Sequence, residues 1–255
     1  SHADNLELCL KTIADGFSEI AAAVKAKIAA ISFAFPGPSY YGEGIIGDLG
    51  NLPAFRGGVP LGPMLAAKFG VPVFINNDGD LFTLGEALGG LLPAVNHELE
   101  AAGSTKRYRN LIGFTLGTGL GGGIVHNGSL FAGDNSAAGE VWLLRNAKHP
   151  HTFMEESVSI RALQRVYREN TSTSQSENLT AKEIYEVALG KRDGNQAAAE
   201  QAFAELGAAL GECIANAVTL IDGLVVLGGG LSNAYPLFAG AMMQSLRYGI
   251  ENFDR

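Results

Sequence analysis

Cysteine is almost missing: Cys9 and Cys213 are the only two in 255 residues, far apart and without a C-x-x-C partner. That excludes a disulfide framework and a thiolate metal cluster, and fits two small apolar residues in a reducing, cytoplasmic compartment. Charge is sparse as well, at 17% of residues, with a formal net charge of −8. The lysines and arginines are scattered rather than blocked, which argues against a nucleic-acid surface but allows a phosphorylated small molecule held by backbone amides. Uninterrupted apolar runs of membrane-spanning length are lacking on this reading, Asp222 breaking the longest, so no membrane partner is expected. Ser1-His2-Ala3-Asp4 shows neither an initiator methionine nor a signal-peptide pattern. What the chain has is glycine, 34 residues, within a 47% hydrophobic composition. That is enough for one large domain, or two smaller ones around a cleft.

Leu6 to Lys27 repeats apolar residues at helical spacing and is predicted as an amphipathic helix. The run 28–35 reads as a buried strand stopped by Pro36-Gly37-Pro38, and Val71–Ile75 as a buried parallel strand following a short helix at 63–69. This α/β rhythm continues through a helical segment from Ala87 to a polar connection at 103–110, where the domain boundary is placed. Strands are expected at 111–116 and from Ile124 into the Asn127-Gly128 turn, with a glycine loop between them. Helices are expected at 159–169, from a capping box at Thr180–Glu183, at 195–220 and at 235–250, with a last buried strand at 224–227.

Three stretches carry candidate chemistry. Asn76-Asn77-Asp78 ends a strand of the parallel type, where open α/β sheets bind ligands, so Asp78 is a candidate general base. The same residues also suit an Asx turn or a helix cap, with Asp80 as the capping residue. Gly117-Thr118-Gly119-Leu120-Gly121-Gly122 satisfies G-x-G-x-x-G, but a dinucleotide fold needs a helix after it, and here a strand follows. No Gly-Lys-Ser/Thr is present either, so a Walker loop is excluded. The remaining readings are a phosphate-cradling hairpin loop and a plain glycine-rich bulge. Gly228-Gly229-Gly230 lead from a strand into a helix, and suit either a nucleoside lying on bare backbone or tight strand–helix packing.

In order and spacing these pieces resemble the ROK family (repressor, open reading frame, kinase) of sugar kinases, within the actin-like ATPase superfamily. The likeness rests on Phe35-Pro-Gly-Pro38, Asn51-Leu-Pro53, Asn77-Asp78-Gly-Asp80 with Glu86, Leu116 to Gly123, Gly139-Glu140 and Leu227-Gly-Gly-Gly230, over nearly the whole chain. It implies an α/β, two-lobed, ribonuclease H-like fold with a central cleft, whose N-terminal strands are apparently missing. Residues 1–107 would form a smaller, incomplete lobe carrying the catalytic Asp, and 108–255 a larger lobe with the phosphate and adenosine glycine loops. It further implies ATP-dependent phosphorylation of a hexose or N-acetylhexosamine by a homodimer. Asp78 would be the base, Asn51, Asn77, Glu140 and Glu155 would hold the sugar, and Gly117, Thr118, Gly119, Gly121, Gly122 and Gly228–Gly230 would hold ATP with Mg²⁺. Glu156 competes with Glu155 for its role.

The sequence departs from the family pattern in two places. The family's structural zinc is not expected, because its His position reads Leu143 and its cysteines are gone, leaving His149 and His151 as loop residues. The family's first phosphate loop, Asp-x-Gly-Gly-Thr, has no counterpart before Leu6, and the chain ends soon after the adenosine motif. Truncated ends, with impaired nucleotide binding, are therefore expected. The alternatives to a kinase are the non-catalytic sugar-sensing domain of a ROK transcriptional regulator, and a degenerate fragment that folds but does little.

Overall fold

The computed structural model describes residues 4–37, 39–50, 52–171 and 178–251. The chain forms two compact units: one runs through Leu81 and takes in Ala132–Ala138, the other holds Phe82–Phe131 and the chain from Gly139 onward.

In the first unit α1 (Leu6–Ala23) starts where Asn5 Oδ1 accepts a hydrogen bond from the Leu8 amide. It lays Leu6, Leu10, Ile13 and Phe17 on a core of Ile46, Phe55, Leu61, Leu65 and Ile75. Rings of Phe17, Phe33, Phe35 and Phe55 stack in sequence through that core, with centroids 5.0, 6.4 and 5.3 Å apart. Strand β1 (Ile31–Ala34) pairs in parallel with β4 (Val73–Asn76), Ala34 opposite Asn76. Both strands are shorter than predicted, and β4 is buried only at Ile75, with Phe74 61% exposed. A two-stranded sheet packed on one face buries alternate residues only. Between them lie the hairpin β2 (Ser39–Tyr40) and β3 (Ile45–Ile46), then α2 (Leu61–Phe69), closed by Gly70 in the left-handed region.

Helix α3 (Asp78–Gly89) starts in the first unit and continues in the second. There α4 (Leu91–Ala101) follows, begun by Glu86, whose Oε2 accepts from the Leu91 amide at 2.8 Å. The sheet of this unit runs β7 (Ser129–Leu130), β6 (Leu120–His126), β5 (Asn110–Leu116), β8 (Leu224–Gly228), with β5 antiparallel to β6 and parallel to β8. Strand β5 is buried on both faces. Leu111 meets Val125, Ala87 and Leu92. Ile112, Phe114 and Leu116 join the core with α5 (Ile160–Glu169), α6 (Ala181–Ala188), α7 (Gln196–Ile221) and α8 (Tyr235–Glu251).

The compact units divide inside α3, whereas the sequence reading divides the lobes after residue 107. Packing explains the difference. Phe82 and Thr83 lie where Gly228 and Gly113 would carry a β-carbon, so α3 from Phe82 onward is held by the four-stranded sheet. A second difference concerns α7, which by length and composition alone is apolar enough to cross a membrane. Its Ala202, Phe203, Leu206 and Leu210 are buried in the core of this unit.

Candidate functional site

Parallel pairing of β1 with β4 brings their carboxyl ends side by side, with the Phe35 amide donating to the Asn76 carbonyl at 2.9 Å. A β-carbon on Gly37 would stand 3.4 Å from Asn77 Nδ2 and 2.4 Å from the Tyr41 hydroxyl, which itself donates to the Phe35 carbonyl. The Pro36-Gly37 turn therefore backs directly onto Asn77. Asn77 Oδ1 accepts from the Gly79 amide at 2.8 Å and its carbonyl from the Leu81 amide, so Asn77 caps α3. In the alternative reading of this stretch as a helix cap, the capping residue is therefore Asn77 and not Asp80, which lies within the first turn, 7% exposed. Asp78 is the first helical residue, with an exposed side chain whose Oδ1 accepts from the Gly79 amide at 3.0 Å. Asn51 lies outside the described residues.

In the second unit the expected glycine loop is mostly strand. Gly121–Gly123 belong to β6, and the connection shrinks to Gly117-Thr118-Gly119. Space explains the glycines in the strand. A β-carbon on Gly121 would meet the Thr115 hydroxyl at 2.3 Å, and one on Gly122 would meet Val141 at 2.7 Å and the Gly139 carbonyl at 2.8 Å. Gly121 and Gly122 thus serve packing, and an anion would be left to the turn. Two turn amides are already taken: Gly117 donates to the Gly119 carbonyl at 3.0 Å, and Leu120 to Glu155 Oε2 at 3.1 Å. The amides of Thr118 and Gly119 remain as candidates, beside an exposed Thr118 side chain.

Glu155 and Glu156 share a one-turn 3-10 helix (Met154–Glu156), yet only Glu155 reaches the hairpin, its Oε2 standing 2.2 Å from the place of a Gly119 β-carbon. Its Oε1 accepts from Arg161 at 3.0 Å, and Glu156 from the same guanidinium at 2.8 Å. The hydrogen bonds that Arg161 donates to the Glu155 and Glu156 carboxylates raise its pKa further, so its charge is permanent. Ser159 caps α5, and the Ile160 amide donates to the Gly117 carbonyl at 2.9 Å, fixing the helix start on the same turn. Gly139, at φ +87°, presses its backbone on Gly123 and so sets Glu140 beside β6. Glu140 Oε2 accepts from the Trp142 indole.

Gly228 and Gly229 are both sterically required, by Phe82 and by the Leu116 backbone, while a β-carbon on Gly230 would meet nothing. Gly230 opens on a cavity of ≈ 380 Å³, lined among others by Ile160, Lys182, Tyr185, Leu231 and Asn233. Apart from Gly230, none of these was singled out in the sequence. The one legible signal was the capping box at Thr180, which starts α6 at Ala181 and so sets Lys182 and Tyr185, three apart, on one helix face. Among the described residues no three His, Cys, Asp or Glu gather as metal ligands.

The sequence model of the ROK family matches residues 2–252. A glucokinase structure from Parabacteroides distasonis is 53% identical, with a TM-score of 0.91 over 98% of this chain and 70% of its own. An N-acetyl-D-glucosamine kinase of Vibrio cholerae is 32% identical over 203 residues, 72% of this chain; the match spans 59% of that relative's length. A ROK family glucokinase from Streptomyces griseus, solved with glucose and AMPPNP, has a TM-score of 0.72 at 22% identity, covering 93% of this chain and 78% of its own, a likeness of fold alone.

Proposed function

This chain belongs to the ROK family and has its actin-like ATPase fold, and we propose that it transfers the γ-phosphoryl group of ATP to a hydroxyl of a hexose or N-acetylhexosamine. The observation that carries this reading is Asp78, exposed at the carboxyl end of β4 and held between the capping Asn77 and the start of α3. The relatives named glucokinase and N-acetyl-D-glucosamine kinase support glucose or its N-acetylamino derivative as the substrate class.

In this reading the sugar oxygen attacks the γ-phosphorus, its proton passes to the Asp78 carboxylate, and the bond to the β-phosphate oxygen breaks to release ADP. The transition state demands position and charge compensation more than covalent help. Asn51, Asn77, Glu140 and Glu155 orient the sugar, and Glu155 rather than Glu156 is assigned because it alone touches the glycine hairpin. Phosphate oxygens meet the Thr118 and Gly119 amides. The nucleoside enters the cavity at Gly230, where Tyr185 and Leu231 offer apolar walls and Asn233 and Lys182 polar ones. Mg²⁺, which keeps waters and binds through substrate phosphates, is carried by the nucleotide.

The test is a coupled ADP-release assay with glucose and N-acetylglucosamine. Asp78→Asn is expected to lower kcat by roughly 10² to 10⁴ while sugar binding by calorimetry survives. Full turnover in that variant removes Asp78 as the base. Sugar binding without any ADP release in the wild type points instead to a sugar-sensing module.

A further inference from the structure

The segment 142–157 closes on itself: Arg145 bridges Phe153, the Met154 amide donates to the Leu144 carbonyl at 2.9 Å, and the Trp142 and Phe153 rings meet edge to face. At its centre is Asn146, 2% exposed. Its Nδ2 donates to the Phe153 carbonyl at 3.2 Å and to Ser157 Oγ at 2.8 Å, and its Oδ1 accepts from the His149 amide at 3.1 Å. Phe153 and Ser157 are the two shoulders of the turn that carries Glu155. We propose that Asn146 is a positioning residue for Glu155, clamping both shoulders of its turn so that the carboxylate meets the Leu120 amide of the glycine hairpin.

Two features separate this role from plain loop packing. Met154 and Val158, both fully buried, already anchor the turn to the core, but apolar contacts are non-directional and set depth rather than rotation. A primary amide has two N–H groups in a fixed plane, and here each is spent on one side of Glu155. Aspartate, of the same shape, cannot do this, because its ionised carboxylate only accepts and would face the Phe153 carbonyl. Glu155 in turn has both oxygens engaged, by Leu120 and by Arg161, so a rotated turn would break a defined set of bonds.

The inference rests on Glu155 as a sugar ligand for its functional consequence, and the experiment separates the two. Asn146→Asp, Asn146→Ala and the milder Ser157→Ala are compared with wild type by hydrogen exchange at the Leu120 amide without ligand. The same proteins are titrated calorimetrically with glucose, with N-acetylglucosamine and with Mg-AMPPNP. Exchange at Leu120 is expected to quicken, and sugar affinity to fall, each on the order of tenfold in Asn146→Asp, with a smaller change of the same sign in Ser157→Ala. Nucleotide affinity is expected to fall less than sugar affinity, because the turn that offers the Thr118 and Gly119 amides keeps its Gly117–Gly119 and Ile160–Gly117 hydrogen bonds. Unchanged exchange at Leu120 overturns the proposal, as does an equal loss of sugar and nucleotide affinity, the mark of general loosening. A wild-type protein that binds neither sugar removes the ligand role of Glu155, while exchange at Leu120 still decides whether Asn146 holds it.

Discussion

Gly229 lies directly behind Leu116: a β-carbon at 229 would stand 2.4 Å from the Leu116 carbonyl oxygen and 2.7 Å from its amide nitrogen, at φ +84°. Its neighbour Gly230 faces open space. Two adjacent glycines of one motif therefore answer to different demands. Gly229→Ala is expected to destabilise the fold by about 2 kcal/mol or more, combining a left-handed backbone with a backbone clash. Gly230→Ala should stay within about 0.5 kcal/mol of wild type. Denaturant unfolding of the pair checks this, and equal losses would refute it.

The two adjacent glutamates should separate in kinetics. Glu155→Gln is expected to raise KM for the sugar about tenfold or more, since Glu155 alone reaches the hairpin. Glu156→Gln loses only a partly exposed pair with Arg161 and should leave KM within about twofold. The reverse ranking would reassign the ligand to Glu156.

Cys213 should be chemically silent in the folded protein. Burial, with a smaller contribution from Glu212, pushes its thiol up to about 12, so almost no thiolate exists at neutral pH. Labelling with a thiol reagent, followed by peptide mapping, is expected to modify Cys213 only at the rate of unfolding. Rapid labelling of the native protein would contradict its placement in the core.

Glu205 on α7 holds Lys148 of the loop that carries Asn146. Burial works to raise this carboxyl, but hydrogen bonds from Lys148 and Gln201 outweigh it and hold it below the ordinary glutamate value. A lowered carboxyl stabilises the fold fully above its unfolded pKa and loses that contribution as pH falls through the folded value. Glu205→Gln should therefore cost on the order of 1 kcal/mol or less near neutral pH, because Lys148 is half exposed. The gap to wild type should close as unfolding is followed from about pH 7 to about pH 3, below the usual glutamate range. A constant gap would show that the pair is not the source.

Much of the architecture was legible because it is written in local chemistry. The Thr180–Glu183 capping box formed as read, with Thr180 Oγ1 accepting from the Glu183 amide and Glu183 accepting from the Thr180 amide. The turn at Asn127-Gly128 closed the β6–β7 hairpin, both residues taking positive φ. Asp78 fell at the end of a parallel strand, as the apolar run before it implied. The glycine cluster at 117–123 was read as one loop, and that was too generous. Period and composition cannot tell a glycine that frees the backbone from one that makes room, and Gly121 and Gly122 make room.

The sequence by itself determined most of the longer elements, their order and the family, because caps, turns and apolar spacing act within a few residues of one another. Only the tertiary structure decided which glycines are steric necessities. Gly207 and Gly211 look like weak points in α7, yet a β-carbon on either would strike the α8 backbone at Phe238 or Met242. It also brought Glu155, and not Glu156, to the glycine hairpin, and Asn146 to the turn that carries both. Those choices depend on which distant segments come within a few ångströms of each other, and no local pattern in the chain encodes that distance.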